Sequence, residues 1–160
     1  MKRVLILLMA FFSLFSLLSC ASSESLPPDL LFEEIEKSYG SLPAGIVLDS
    51  RAREWEEKYL DAETVESLFG HEKTYKEAVE SAYLYLAASL TSYEEIAVLE
   101  CYTSDKARRM AGIFAERNRA LALLEEEPLE AQILCNGRTV VYCRLANTAR
   151  AKGAIRKLEN

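Results

Sequence analysis

The sequence predicts an α+β fold, in which a helical N-terminal half packs on a small three-stranded sheet from the C-terminal half. Three observations predict it. Apolar residues recur every three or four positions through the first half, which is typical of helices. The segment 95–102, EIAVLECY, has the composition of a strand. Asn136-Gly137 lies between two apolar runs, which is a strong signal for a β-hairpin.

Capping and helix-breaking residues divide the first half into helices. Asp61 is a predicted N-cap, and Gly40 and Gly70 are predicted stops. The apolar stripe of the longest helix is formed by Tyr75, Val79, Ala82 and Leu86. The predicted helices run over residues 29–39, from a cap at Asp49 or Ser50 to about residue 60, over 62–69, and over about 72–90, with a loop at 41–48.

The second half reads as strand, helix, hairpin, helix. Thr103 or Ser104 caps a long helix that must end before Pro128, and Asn147 or Thr148 caps the last helix. A right-handed crossover places the third strand between the first and the second, with both helices on one face of the sheet. In that arrangement the acidic end of the long helix, residues 125–127, would meet the basic start of the last helix. The predicted strands cover residues 95–102, 131–135 and 139–145.

The N-terminus has the organisation of a bacterial export signal. Lys2 and Arg3 precede a largely apolar run of fifteen residues, 4–18, which is shorter than the roughly twenty residues that a spanning helix needs. The run ends at Ser19-Cys20, which resembles a lipobox, a small residue followed by the cysteine that is lipidated. An ordinary signal peptide with an incidental cysteine is the alternative. We expect a signal peptide over residues 1–19, a tether over 20–28 and one α+β domain over 29–160.

Composition excludes several classes of function. The net charge is −6, and it becomes −8 once Lys2 and Arg3 are removed, so nucleic acid is not an expected partner. His71 is the only histidine, and no cysteine pair has zinc-ligand spacing. The carboxylates lie in helix and loop segments expected to be solvated. We therefore expect no catalytic residue, metal or cofactor, and a non-enzymatic protein.

Aromatic residues are the other candidate binding groups. Eight tyrosines, six phenylalanines and Trp55 are present, but three of the phenylalanines belong to the signal segment. Tyr83 and Tyr85 cannot both face the apolar stripe of a helix over 72–90, so one of them is expected at the surface. Ordinary core packing is the alternative explanation for this aromatic content. A pocket lined by tyrosines would favour a binding protein, and a buried pair of close carboxylates would favour an enzyme.

Three cysteines are left after lipidation of Cys20. Strand alternation, with both helices on one face, predicts that Cys101 and Cys143 lie on the helix-covered side. They would then be the only pair able to form an intramolecular disulfide, although we expect free thiols because cross-strand neighbours often miss the required Cβ geometry. Cys135 lies near the hairpin turn and is expected to be more exposed, with Ile133 facing inward.

The order of these segments resembles a lipoprotein family of Firmicutes, especially clostridia, known as domain of unknown function 4358. The segments that carry the resemblance are LDAETVESLFG, TSYEEIAVLECYTSDKA and ILCNGRTVVYCRL, within residues 29–158. They contain an acidic lead-in to a strand, a helix, and a hairpin in which a glycine precedes an apolar strand. Glu100 departs from the lysine expected there. The resemblance implies a compartment and a fold but no activity.

Together these patterns predict a lipoprotein of the outer face of the cell membrane. We expect it to be held by its lipid anchor and to act as a non-catalytic interaction or accessory module for an envelope protein partner. A ligand-binding lipoprotein assisting a transporter is the first alternative, although most solute-binding proteins are larger and two-lobed. A cell-envelope hydrolase is the second.

The sequence predicts lipidation of Cys20. The mature chain should begin at Cys20, carry acyl chains and stay in the membrane fraction, since two chains suffice for stable anchoring. Intact mass of the protein purified from membranes checks this. A mature chain that begins elsewhere, or a Cys20→Ala variant still cleaved and held at the membrane, would contradict it.

Overall fold

The computed structural model describes residues 26–89 and 93–158, without the side chains of 157 and 158. The described residues form an α+β fold with five helices and a five-stranded, wholly antiparallel sheet. The helices are α1 (Pro28–Tyr39), α2 (Ala62–Phe69), α3 (Glu72–Ala78), α4 (Ser104–Ala122) and α5 (Thr148–Leu158). The strands are β1 (Gly45–Asp49), β2 (Val79–Ala87), β3 (Glu95–Cys101), β4 (Ala131–Asn136) and β5 (Thr139–Arg144). No helix within these residues combines the length and apolar character needed to cross a membrane.

The strand order is β1-β2-β3-β5-β4. The predicted placement of β5 between β3 and β4 is therefore confirmed, and so is the hairpin, in which Gly137 has a positive φ of 56°. Two predicted caps are also confirmed: Asp61 accepts a hydrogen bond from the Thr64 amide, and Thr103 accepts one from the Lys106 amide. The order of the three C-terminal strands, the hairpin and these two caps are thus as predicted.

The prediction of a helical N-terminal half was wrong, because β1 and β2 add two strands to the predicted three. The helix predicted over 72–90 ends at Ala78, and the chain continues as β2. Helices cover both faces of the sheet, so β2 is apolar on both sides from Ala82 to Ala87 and lacks the alternation of a half-exposed strand there. A run of that kind cannot be told from a buried helix by periodicity.

The segment predicted as a helix over 50–60 consists of turns. The Asp49 carboxylate binds the amide and the guanidinium of Arg51 and so closes a turn. The Asp49 amide in turn donates to the Lys58 carbonyl at 2.7 Å, which returns the chain to the edge of β1. Trp55, one of the aromatic residues considered as candidate binding groups, lies in this segment and is 78% exposed.

Each face of the sheet has its own apolar core. One core lies under α2, α3 and α4, and the other lies under α1 and α5. The prediction that α4 and α5 share a face was therefore wrong, and the expected meeting of their charged ends does not occur. Glu125 instead binds Arg144, and the Arg150 guanidinium donates to the Tyr39 carbonyl.

Side chains alternate between the two faces along each strand, and this places the two buried cysteines on different faces. Cys101 belongs to the core under α4, whereas Cys143 belongs to the core under α5, so they lie on opposite faces and cannot pair. Burial raises the pKa of each of these thiols to about 12. Cys135 is exposed, as predicted, but Ile133 is 37% exposed and does not face inward. All three cysteines are free in the structure.

A buried guanidinium joins α4 to the sheet. Arg144, at the end of β5, has no solvent exposure and forms an ion pair with Glu125, which follows α4. It also donates to the Asn118 side chain at 3.0 Å and to the Tyr93 carbonyl at 2.5 Å. Next to it on β3, Glu95 binds Arg117 of α4 at 2.5 and 2.8 Å. Two ion pairs therefore hold α4 on the sheet at one end of the strands.

We predict that Arg144→Met strongly destabilises the fold, because it leaves the Glu125 carboxylate buried without its counter-charge. Breaking a buried pair in this way costs about 3–5 kcal/mol of unfolding free energy. Arg119→Met is the matched control, since Arg119 pairs with Glu116 at the surface and such pairs contribute about 0–1 kcal/mol. Urea unfolding measures both variants. Equal losses for the two would contradict the role assigned to Arg144.

The ion pair between Arg144 and Glu125 should also make the free energy of unfolding depend on pH. The hydrogen bond from Arg144 holds the pKa of Glu125 below its ordinary value. The stabilisation is therefore complete above pH of about 4.3 and is lost as the pH falls through the lower, folded-state pKa. Urea unfolding between pH 3 and 6 should show that the free energy of unfolding falls more steeply on acidification in the wild type than in Arg144→Met.

Candidate binding groove

A concave site lies at the corner of the sheet that α1 covers incompletely. It is a cavity of about 450 Å³ between α1, the segment that follows it, and strands β1 and β2. We call it the tyrosine groove. Its aromatic walls are Phe32, Tyr83 and Tyr85, its aliphatic wall includes Val47, and its charged lining residues are Glu33, Glu36 and Lys58.

The aromatic walls follow from the strand structure of β2. Residues two apart in a strand share a face, so Tyr83 and Tyr85 both point toward α1. Phe32 of α1 meets Tyr83 with 5.0 Å between ring centroids and an interplanar angle of 53°. Tyr85 is buried, and its hydroxyl donates to the Pro43 carbonyl at 2.8 Å. The expectation that one of the two tyrosines is at the surface was based on a helix that does not exist, although Tyr83 is only partly buried.

Gly45 lets the ring of Tyr85 lie directly against β1. A Cβ atom at this position would stand 2.4 Å from a carbon of the Tyr85 ring and 2.5 Å from the Leu86 carbonyl oxygen. Gly45 lies in the predicted loop 41–48, which is a strand from this residue onward, and its role was not predicted. The available signal was the β-branched pair Ile46-Val47 directly after the glycine, which indicates a strand with a close backbone approach at its start.

Lys58 lies over one wall of the groove. Its ammonium group donates to the Tyr83 hydroxyl at 3.0 Å and is 5.5 Å from the centre of the Tyr83 ring. The hydrogen bond to Tyr83 raises the pKa of Lys58. The Asp49–Lys58 backbone bond holds this residue beside β1, so a turn in the chain brings the cation to the ring.

The rest of the charge in the groove is negative. Glu33 and Glu36 are three residues apart on α1 and therefore lie on neighbouring positions of one helix face. The pKa of Tyr85 is raised to about 12, first by burial and then by nearby groups that include the carboxylates Glu94 and Glu36. The groove thus presents aromatic faces beside two carboxylates.

A second cavity, of about 400 Å³, lies where the described chain begins at Leu26. Both of its cations are paired: Arg138 binds Glu100 of the same lining at 2.8 Å, and Arg51 binds the neighbouring Asp49 at 2.9 Å. It therefore leaves little charge free for a ligand.

The buried carboxylates of the described chain are engaged by other groups. Glu95 binds Arg117, and Glu125 binds Arg144. Glu100 accepts from the Thr139 hydroxyl at 2.9 Å and pairs with Arg138, and Glu94 accepts from the Ala146 amide at 2.9 Å. Within residues 26–89 and 93–158 no group of three or more histidine, cysteine or acidic residues is placed to hold a metal ion.

The remaining sequence-predicted residues lie apart from the groove. His71 is exposed at the N-terminus of α3, and its side chain makes no capping hydrogen bond. Ser19 and Cys20, the predicted cleavage and lipidation residues, lie outside the described residues. No family model, curated protein or solved structure matches the chain.

We predict that Gly45→Ala distorts the tyrosine groove and lowers stability. The added methyl group must displace the Tyr85 ring or the Leu86 carbonyl, and overpacking of this kind costs about 1–3 kcal/mol. Gly112→Ala in α4 is the control, because a Cβ there meets no atom within 4 Å and alanine favours a helix by roughly 0.5–1 kcal/mol. Urea unfolding should therefore give changes of opposite sign. A neutral Gly45→Ala would contradict the close contact.

Proposed function

We propose that this chain is an exported bacterial lipoprotein, anchored through Cys20, that acts as a non-catalytic interaction module at the outer face of the cell membrane. The tyrosine groove is the surface that engages its envelope partner. We also propose that the chain is related to the lipoprotein family known as domain of unknown function 4358, because the order of its segments within residues 29–158 resembles that family.

The groove is the observation that carries this proposal. Its volume, about 450 Å³, lies in the range of roughly 300–1,000 Å³ that binding clefts occupy. Tyrosine suits such a surface because it combines a large apolar ring with a hydroxyl and loses little conformational entropy. Tyr83 is only partly buried, so part of its side chain is available to a partner.

The tether limits where that partner can be. Five residues, 21–25, lie between Cys20 and Leu26, the first described residue, which makes six Cα–Cα steps. Even fully extended, they span at most about 20 Å. A lipid anchor at Cys20 would therefore keep the start of α1, whose later residues line the groove, close to the membrane. A partner in the same membrane could reach it.

The alternative function is binding of a small ligand for a transporter. The observation behind it is the groove volume, which lies within the range of clefts that hold small molecules. A cell-envelope hydrolase is the weaker alternative, because the buried carboxylates form ion pairs and hydrogen bonds with neighbouring groups. None of them is therefore supported as a general acid.

Site-specific photo-crosslinking tests the proposal. A benzophenone amino acid at Leu42, which lines the groove, should give a discrete cross-linked product in native membranes. The same amino acid at Lys73, whose side chain is 86% exposed on α3, is the control. A protein-sized increase in mass at Leu42 alone supports an interaction module, and a small increase supports the ligand-binding alternative. Equal products at both positions, or none at Leu42, would contradict the proposal.

A further inference from the structure

The tyrosine groove already holds a cation from its own chain. The Lys58 ammonium group lies 5.5 Å from the centre of the Tyr83 ring and 3.0 Å from its hydroxyl oxygen. An ammonium group over an aromatic face is attracted by the negative potential of the ring. Lys58 is exposed, and exposed contacts of this kind are weak, so a competing cation can displace it.

The two carboxylates that line the groove, those of Glu33 and Glu36, are not engaged in an ion pair with any described residue. Glu34, between them on α1, does pair with Lys37, at 3.8 Å. A cavity lined by two unpaired carboxylates together with two tyrosines and a phenylalanine complements a positively charged group rather than a neutral or negative one.

The strand beside the groove is open on its outer edge. In the described part of the chain β1 pairs with β2 only, apart from one isolated bridge between Asp49 and Tyr59. The backbone from Gly45 to Leu48 therefore has no strand beyond it. An unpaired edge of this kind accepts an extended peptide as an additional strand. A peptide there would present alternate side chains toward the groove.

We propose that the tyrosine groove recognises a lysine or arginine side chain of an extended partner peptide, with Lys58 as the internal group that this side chain displaces. This inference rests on the proposed function, whose groove it assigns to a cationic ligand. The partner ammonium or guanidinium group lies on Tyr83, and Glu33 and Glu36 neutralise it. The free edge of β1 receives the peptide backbone.

Binding of a short peptide to the full-length protein in detergent tests the inference. The probe is a capped, dye-labelled pentapeptide with a central lysine. The control peptide carries norleucine at that position, a side chain of similar length without charge. Fluorescence anisotropy should show binding about tenfold tighter for the lysine peptide, the size expected for one cation–π contact with a neighbouring carboxylate. Equal affinity of the two peptides would overturn the inference.

Variants locate the site. Lys58→Ala removes the internal cation and should strengthen binding of the lysine peptide by a few-fold, because displacement is no longer required. Glu36→Gln should weaken it, whereas Glu34→Gln, the same change on the same helix outside the groove, should have no effect. Weaker binding in Lys58→Ala, or equal effects at the two glutamates, would contradict the assignment.

Two further measurements keep the result interpretable. Tyr83→Leu should lower the affinity for the lysine peptide to that for the norleucine peptide. Tyr83→Phe, which keeps the ring, should retain the preference for lysine. Circular dichroism establishes that both variants are folded. A capped lysine amide that binds as tightly as the peptide would overturn the assignment to a polypeptide. Loss of the lysine preference with intact cross-linking at Leu42 would overturn this inference and leave the proposed function standing.

Discussion

The guanidinium of Arg144 is the charge on which the arrangement of α4 and the sheet depends. It has no contact with solvent, so its neutralisation must come from the protein, and Glu125 supplies it. The same carboxylate accepts hydrogen bonds from the amides of Tyr93 and Leu129, both at 3.1 Å. One buried ion pair therefore ties together the approach to β3, the segment after α4, the approach to β4 and the end of β5.

Burial on both faces is the second organising feature, and it accounts for the position of the groove. Strands β3 and β5 lie inside the sheet and are buried along their whole length, whereas β1 lies at an edge and has one buried residue, Leu48. Helix α1 contacts β2 and β3 and packs against α5, so its cover is thinnest at the β1 corner. The tyrosine groove opens at that corner. A concave site thus results where the cover of α1 ends before the edge strand.

The elements that the sequence predicts correctly are those stabilised by contacts between residues close together in the chain. The side chains of Asp61 and Thr103 bind amides three residues ahead, and Asn136-Gly137 closes its own turn, so each can be read from the sequence. Strands β1 and β2 depend on partners far along the chain, and an apolar run buried on both faces carries no period-two pattern. Tyr83 and Tyr85 were identified as candidate binding residues, but the groove they form could not be predicted without knowing that they share a strand face. Gly45 and Lys58 were missed because their roles arise from contacts across β1.

The groove and the core are built from different kinds of residue, and this separation bears on how the site works. Tyr85 and Phe32 are buried and form part of the core under α1, so they hold the groove in shape. Glu33, Glu36 and Lys58 are exposed, and substitutions at such positions usually change stability by no more than about 0.5 kcal/mol. Substitutions of these charged residues can therefore change the charge of the groove without disturbing its aromatic wall. Because the Lys58 backbone is bound to the Asp49 amide, its side chain can leave Tyr83 without unfolding the turn that carries it. The groove can consequently exchange an internal cation for an external one at little structural cost.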